Sequence, residues 1–239
     1  MAEPADRSAE LAGALARVRE RIAAAAAGRK GPAPELIVVT KFHPASDIRL
    51  LAALGVRDVG ESRDQEASAK AAELEGLGLR WHFIGQLQKN KAKSVVRYAH
   101  SVHSVDRASL VDALGKAMAA EQQASGRPDL ACFIQVDLQD GGGEGRGGAS
   151  PAGVAALADR IAGTPGLALA GVMAVAPLGA DPDAAFSRLA GISRDLRLSH
   201  PAATAISAGM SQDLEQAVAH GATHLRVGSD VLGARPPVR

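Results

Sequence analysis

Cysteine and aromatic residues are what this 239-residue chain has least of. One cysteine, Cys132, cannot close an internal disulfide, which excludes a disulfide-stapled secreted scaffold and makes a reducing cytosol the expected setting. Aromatics are only 3% of residues, so the core must be packed from Ala, Leu, Val and Ile, which the 46% apolar content supplies. An excess of charge of either sign is also missing: 27 Lys plus Arg against 26 Asp plus Glu leave a net +1. That balance gives no electrostatic footprint for nucleic acid or an anionic membrane surface. No stretch approaches the ~18 uninterrupted apolar residues of a membrane span. The first residues, MAEPADRSAELAGALARVRERI, are charged throughout and lack the apolar segment of a signal peptide. A soluble, cytoplasmic protein is expected.

What the chain does have is alternation. Leu11, Leu15, Val18 and Ile22 recur at spacings of three and four, predicting a helix over 6–27 that GRKGPAP ends. LIVVT follows as a short apolar strand of the kind buried on both faces in a parallel sheet. A helix in PASDIRLLAAL comes next, with proline near its first turn. The unit then repeats: RDVG, RWHFIG, HSVHSV, LACFIQVDL, LALAGVMAV, ATAIS and THLRVG read as strands, each trailed by a helical stretch, which after ATAIS is MSQDLEQAVAH, from Met210. Asp106 or Ser104 is the expected cap of the helix after HSVHSV. Eight such units with no hairpin signal predict a (β/α)8 TIM-type barrel with an extra N-terminal helix; a doubly wound open sheet is the alternative, because alternation alone does not show closure. No interior linker divides the chain, so residues 1–239 read as a single domain. The glycine-rich DGGGEGRGGASP lies between a strand and its own helix, either as plain flexibility or as a lid.

A barrel places its chemistry at the C-terminal ends of its strands. Lys41 stands at the first of them, after LIVVT. Either its ammonium snorkels to water or its amine is held among apolar walls, where desolvation would free it to form an imine with an aldehyde or ketone. At the other end of the chain, SAGMS and RVGSD each put glycine and hydroxyl residues at a strand-to-helix turn. Such turns serve as ordinary caps, but on adjacent strands 7 and 8 they also suit a phosphate. Closure would bring them beside Lys41, which points to a phosphorylated carbonyl compound: pyridoxal 5′-phosphate, or a sugar phosphate in a Schiff-base aldolase. His43, His82, His100 and His103 lack a metal-ligand spacing, so no metal is expected. The basic run KNKAK at 89–93 reads as a solvated helix face rather than an RNA-binding element.

VVTKFHPAS, VGESRDQEASAK, RWHFIGQLQKNK, SVHSVD, GVMAV and ISAGMSQDLEQAVAHGATHLRVGSDVLGAR stand in the order and spacing of a known family. The chain resembles the pyridoxal phosphate homeostasis proteins, single-domain relatives of the alanine racemase barrel, over nearly its whole length. The resemblance implies that Lys41 carries pyridoxal 5′-phosphate as an internal aldimine. It also implies that Ser207, Gly209, Met210, Gly228 and Ser229 hold the phosphate, that Arg226 faces the pyridine nitrogen, and that Ser62, His82 and Met173 line the ring pocket. Ser62 departs from the family's usual asparagine. The family's basic residue near strand 5 would be Arg146, to which no role is assigned.

The resemblance further implies cofactor homeostasis and delivery to pyridoxal-phosphate-dependent apoenzymes rather than turnover, with an amino-acid racemase-like enzyme as the alternative. Racemisation needs a base on each face of the substrate's α-carbon. The barrel uses up the chain, and the one tyrosine, Tyr98, reads as an outer helix residue. A guanidinium at Arg226 would also weaken the ring as an electron sink. A carrier without catalytic residues, monomeric for want of a second domain, is the expectation.

Overall fold

The computed structural model describes residues 4–139 and 147–234. Its eight strands are β1 (Glu35–Val39), β2 (Asp58–Glu61), β3 (Arg80–Phe83), β4 (Ala99–Val105), β5 (Leu130–Gln135), β6 (Leu167–Met173), β7 (Ala205–Ser207) and β8 (His224–Val227). Each pairs in parallel with the next, and β8 returns to β1 with Val38 opposite Val227. The barrel is closed, which decides against the open sheet. Parallel strands need crossovers, and the helices supply them: α2 (Ala45–Ala53), α3 (Asp64–Glu73), α4 (Ala92–Tyr98), α5 (Ala108–Ser125), α6 (Val154–Ala162), α7 (Pro182–Ser199) and α8 (Leu214–Ala219). A four-residue helix, α9 (Ser229–Leu232), follows β8.

The extra helix, α1 (Pro4–Ala25), buries the stripe predicted from its periodicity, Leu11, Leu15, Val18 and Ile22, and lies across α2, α8 and α9. Two arginines fasten it. Arg7 donates to Asp47 Oδ2 (2.7 Å) and to the Leu232 carbonyl (3.0 Å); Arg21 donates to Glu215 Oε1 (2.8 Å), Asp230 Oδ2 (2.6 Å) and the Ser211 carbonyl (3.0 Å). The N-terminal helix therefore braces the turns that follow β7 and β8.

Two local expectations need correction. Neither Asp106 nor Ser104 caps α5: the helix starts at Ala108 after an extended Arg107. Asp106 instead pairs with Arg107, and the Ser104 hydroxyl is buried without a partner among the described residues. The helix expected from Met210 starts only at Leu214, because the Asp213 carboxylate takes the Met210 N–H (2.6 Å) and closes a turn first. One strand residue has to be glycine. Gly171 in β6 has φ +152°, and a Cβ there would sit 1.9 Å from the Ala205 carbonyl oxygen of β7.

Candidate functional site

A cavity of about 860 Å³ opens where β1, β3, β5, β6 and β8 end. Its wall includes Lys41, Ile84, Gln135, Met173, Met210, Arg226, Gly228 and Ser229. β1 carries Lys41 there through a turn that a buried charged network holds. Lys70 of α3, only 7% exposed, reaches under the turn to the Thr40 carbonyl (3.0 Å), Glu61 Oε1 (2.8 Å) and Glu66 Oε1 (2.6 Å). Glu66 Oε1 also accepts the N–H of Phe42 (2.6 Å), and Thr40 Oγ1 donates to Glu61 Oε1 (2.7 Å). The peptide groups on both sides of Lys41 are thus fixed by one lysine–glutamate pair. Phe42 pays with a left-handed φ of +70°, a conformation costing about 1–3 kcal/mol that persists only where surroundings over-determine it. Burial pushes the Glu61 carboxyl up; Lys70 and Thr40 pull against that, while Glu61 Oε2 has no hydrogen-bond partner among the described residues.

On the opposite wall, β8 is followed by Gly228, where a Cβ would lie 3.2 Å from the Val39 carbonyl of β1, so the bare backbone lets the two strand ends close together. Ser211 Oγ and Ser229 Oγ stand 3.2 Å apart across the two turns, a paired hydroxyl edge braced from behind by Arg21. Met210 joins the wall, but its N–H is already given to Asp213. Gly209, at φ +90°, is not among the lining residues; a Cβ there would be 2.6 Å from Ala217 Cβ, so it lets α8 approach.

Arg226 reaches the cavity floor from inside the barrel. It is 4% exposed and donates to Ser207 Oγ and to the Ala174 carbonyl (2.9 Å). Burial lowers its pKa to about 10, partly offset by Asp213, so it remains a cation at neutral pH. Ser207 is fully buried beneath Arg226 rather than on the cavity wall. The expectation that Ser62 and His82 share the wall with Met173 is not met: of the three, Met173 alone lines it. The Ser62 backbone is covered by Gly85, whose added Cβ would meet the Ser62 carbonyl at 2.2 Å. His82 lies two residues before the wall residue Ile84. Side chains two apart share a strand face, so it occupies the next layer down the barrel. There its Nε2 meets Asp58 Oδ1 (2.8 Å) and its Nδ1 meets Ser101 Oγ (2.7 Å).

This interior layer is polar. Burial, aided by neighbouring His82, holds His103 well below the ordinary imidazole range and His224 down to about 4. The unfolded chain therefore binds more protons than the folded one between about pH 6.5 and 4, and stability is lost as pH falls through that window. At about 1.4 kcal/mol per pH unit, His224 alone removes on the order of 3 kcal/mol by pH 4. Thermal unfolding should show Tm falling from pH 7 to 4.5 at fixed ionic strength, with a shallower fall in His224→Asn. A profile equally steep in both proteins would place the sensitivity elsewhere.

Sequence reading missed Lys70, Glu66 and Thr40, and it left Glu61 without a role. The Glu66–Lys70 spacing of four on a helix is a visible signal, but it reads as a solvent-exposed pair. Gln86, Gln135 and Asp137 on the strand 3 and 5 side were also given no part in a cavity, which they line. Tyr98 is not among the lining residues; its hydroxyl donates to Asp64 Oδ1 (3.3 Å), and burial pushes its pKa up. Lys89 and Lys93 of the basic run are exposed, while Lys91 lies 3.8 Å from Asp64. Cys132 is buried, its thiol pushed up to about 12. Among the described residues no group of three or more His, Cys, Asp or Glu could hold a metal. Arg146 and most of the glycine-rich loop lie outside the described residues.

The family model of the alanine racemase N-terminal domain matches residues 14–236 of this closed parallel barrel. Alanine racemase from Corynebacterium glutamicum shares this fold, with a TM-score of 0.65 over 95% of this chain and 63% of its own, at 15% identity. Closer likeness is to smaller proteins. The pyridoxal phosphate homeostasis protein of Mycobacterium tuberculosis is 46% identical, with 96% of this chain and 95% of that protein covered. That of Escherichia coli K12 is 34% identical over 95% of this chain and 97% of its own. The structure of PipY from Synechococcus elongatus with PLP bound has a TM-score of 0.80 at 34% identity, covering 93% of this chain and 100% of that one. The chain belongs to the pyridoxal phosphate homeostasis protein family.

Proposed function

We propose that this protein binds pyridoxal 5′-phosphate at the cavity and serves in its homeostasis and delivery, with Lys41 as the covalent tether. The observation that carries the reading is the juxtaposition of Lys41 with Arg226, Ser211 and Ser229 around one cavity. These residues fit the cofactor: an amine for its aldehyde, hydroxyls and a close-approach glycine turn for its phosphate, and a buried cation for its ring nitrogen. Gly228 and Ser229 would hold the phosphate with Ser211. Ser207, Gly209 and Met210 would act mainly by shaping the turn and orienting Arg226. Met173 would pack on the ring, while Ser62 and His82 would support the pocket from outside its wall. When bound, the cofactor supplies an electrophilic aldehyde and an electron-withdrawing ring. Arg226 opposes protonation of the ring nitrogen and so restrains carbanion chemistry.

The same reading takes residues 1–239 as one barrel domain acting in the cytoplasm as a monomer, with pyridoxal-phosphate-dependent apoenzymes as recipients. Among the described residues no helix is long and apolar enough to cross a membrane. A carrier is favoured over a racemase because the chain's one tyrosine, Tyr98, is held on Asp64 and does not line the cavity. Titration of the purified protein should give saturable binding of pyridoxal 5′-phosphate and no comparable binding of a triose or pentose phosphate; the reverse order would favour the aldolase reading. The loaded protein should also exchange the α-protons of amino acids into heavy water no faster than free cofactor does. Exchange at enzymatic rates would favour the racemase reading.

A further inference from the structure

A continuous chain of buried hydrogen bonds runs through the barrel from Arg226 on the cavity floor to Asp58 at the N-terminal end of β2. Arg226 Nη1 meets Ser207 Oγ, and Ser207 Oγ meets His103 Nδ1 at 2.8 Å. His103 Nε2 meets Ser101 Oγ at 2.8 Å and, more distantly, His82 Nδ1 at 3.2 Å; Ser101 Oγ meets His82 Nδ1 at 2.7 Å, and His82 Nε2 meets Asp58 Oδ1 at 2.8 Å. His82, Ser101, His103 and Ser207 are each at most 3% exposed.

Donor and acceptor capacity give this chain one direction. A guanidinium can only donate, so Ser207 Oγ accepts from Arg226. The Ser207 hydroxyl must then place its own hydrogen, and His103 Nδ1 is its one other partner among the described residues. His103 Nδ1 is therefore an acceptor. The neutral ring that burial enforces carries its proton on Nε2 and donates to Ser101. Ser101 donates to His82 Nδ1, and His82 Nε2–H donates to the Asp58 carboxylate. Asp58 is suited to end the run: burial opposes its charge, but His82 and Arg80 (2.6 Å) outweigh that and hold its carboxyl below the usual range. Five donors point the same way, from a buried cation to a carboxylate, an alignment in which each bond polarises the next.

We propose that Ser101, His82, His103 and Asp58 are positioning residues for Arg226, acting through Ser207 to fix the guanidinium's orientation and charge toward whatever acceptor lies on the cavity floor. In the proposed function, on which this inference rests for its ligand, that acceptor is the ring nitrogen. None of the four residues lines the cavity. The relay accounts for why His82 and Ser207 lie beneath the wall rather than on it.

The test begins without cofactor. In protein carrying ¹⁵N-labelled histidine, the ring nitrogens of His103 should report a neutral ring protonated at Nε2 and bare at Nδ1. A proton on His103 Nδ1 would break the chain's direction and overturn the proposal whatever the protein binds. In the loaded protein, Ser101→Ala removes the short hydroxyl link at the centre of the run and leaves only the longer direct contact of His103 Nε2 with His82 Nδ1 (3.2 Å), while Ser101→Thr keeps a hydroxyl on the same strand. The alanine variant should shift the absorbance maximum of the bound cofactor and its pH midpoint, and release cofactor about tenfold faster, as loss of one buried hydrogen-bond link implies. The threonine variant should restore all three. A Ser101→Ala protein that melts earlier but keeps the wild-type spectrum and midpoint would leave the network a structural one. Failure of the wild type to take up cofactor would count against the proposed function, and the histidine signals would still decide the relay.

Discussion

Replacing Lys41 by alanine is expected to abolish the visible absorbance of the cofactor-loaded protein and to weaken retention on dialysis by on the order of a hundredfold, about 2.8 kcal/mol at 1.4 kcal/mol per decade. The fold should survive. Lys41 is only half-buried, the strand ends two residues earlier at Val39, and Lys70 and Glu66 hold the flanking peptide groups independently of the Lys41 side chain. Arg226, Ser211 and Ser229 remain, so weak, non-covalent binding should persist and be visible by fluorescence titration. This separates the tether from the pocket. A variant that kept both the visible band and wild-type retention would move the covalent attachment to another lysine.

Lys70→Met should have the largest effect on stability. The substitution preserves much of the apolar stem but leaves Glu61, 1% exposed, and Glu66 without their cation. Breaking a buried pair from one side costs about 3–5 kcal/mol. For a chain of this size that corresponds to a fall in Tm of roughly 6–20 °C. Burial already pushes the Glu61 carboxyl up, so part of the cost should be relieved by its protonation, and the deficit should shrink as pH is lowered toward 5. The double variant Lys70→Met/Glu61→Gln should recover part of the loss for the same reason. The effect should also reach the cofactor: without Lys70 on the Thr40 carbonyl, the left-handed turn at Phe42 loses one of its anchors, and loading at Lys41 should fall even well below the variant's Tm. An unchanged Tm would show that the pair contributes nothing net, and normal loading would show that it does not position Lys41.

The barrel was legible in the sequence because its information is local. Each strand is a short apolar run, each helix a periodic one, and eight repetitions leave few alternatives for their arrangement. Lys41 was legible for a related reason: a lysine closing LIVVT is conspicuous wherever that strand lies. Depth along the barrel was not legible. The period of two assigns His82 and Ile84 to one face of β3, but which of them meets the cavity depends on how strands from distant parts of the chain are staggered. Lys70 was hidden by a non-local cause as well, since its burial is set by Glu61 on β2 and Thr40 beside β1 rather than by its own helix. The late start of α8 follows from one side chain, Asp213, folding back on Met210. The two turns after β7 and β8 were recognised by composition, whereas the arginine of α1 that braces them, Arg21, stands almost two hundred residues away in sequence and gave no sign of it.

The most direct measurement is the absorbance spectrum of the wild-type protein, incubated with pyridoxal 5′-phosphate and freed of excess, before and after borohydride, followed by peptide mapping. The visible band should disappear on reduction, and the cofactor should be found fixed to the peptide containing Lys41. A protein that stays colourless after incubation, or one whose reduced cofactor maps to a different lysine, would contradict the assignment of this cavity as the cofactor site.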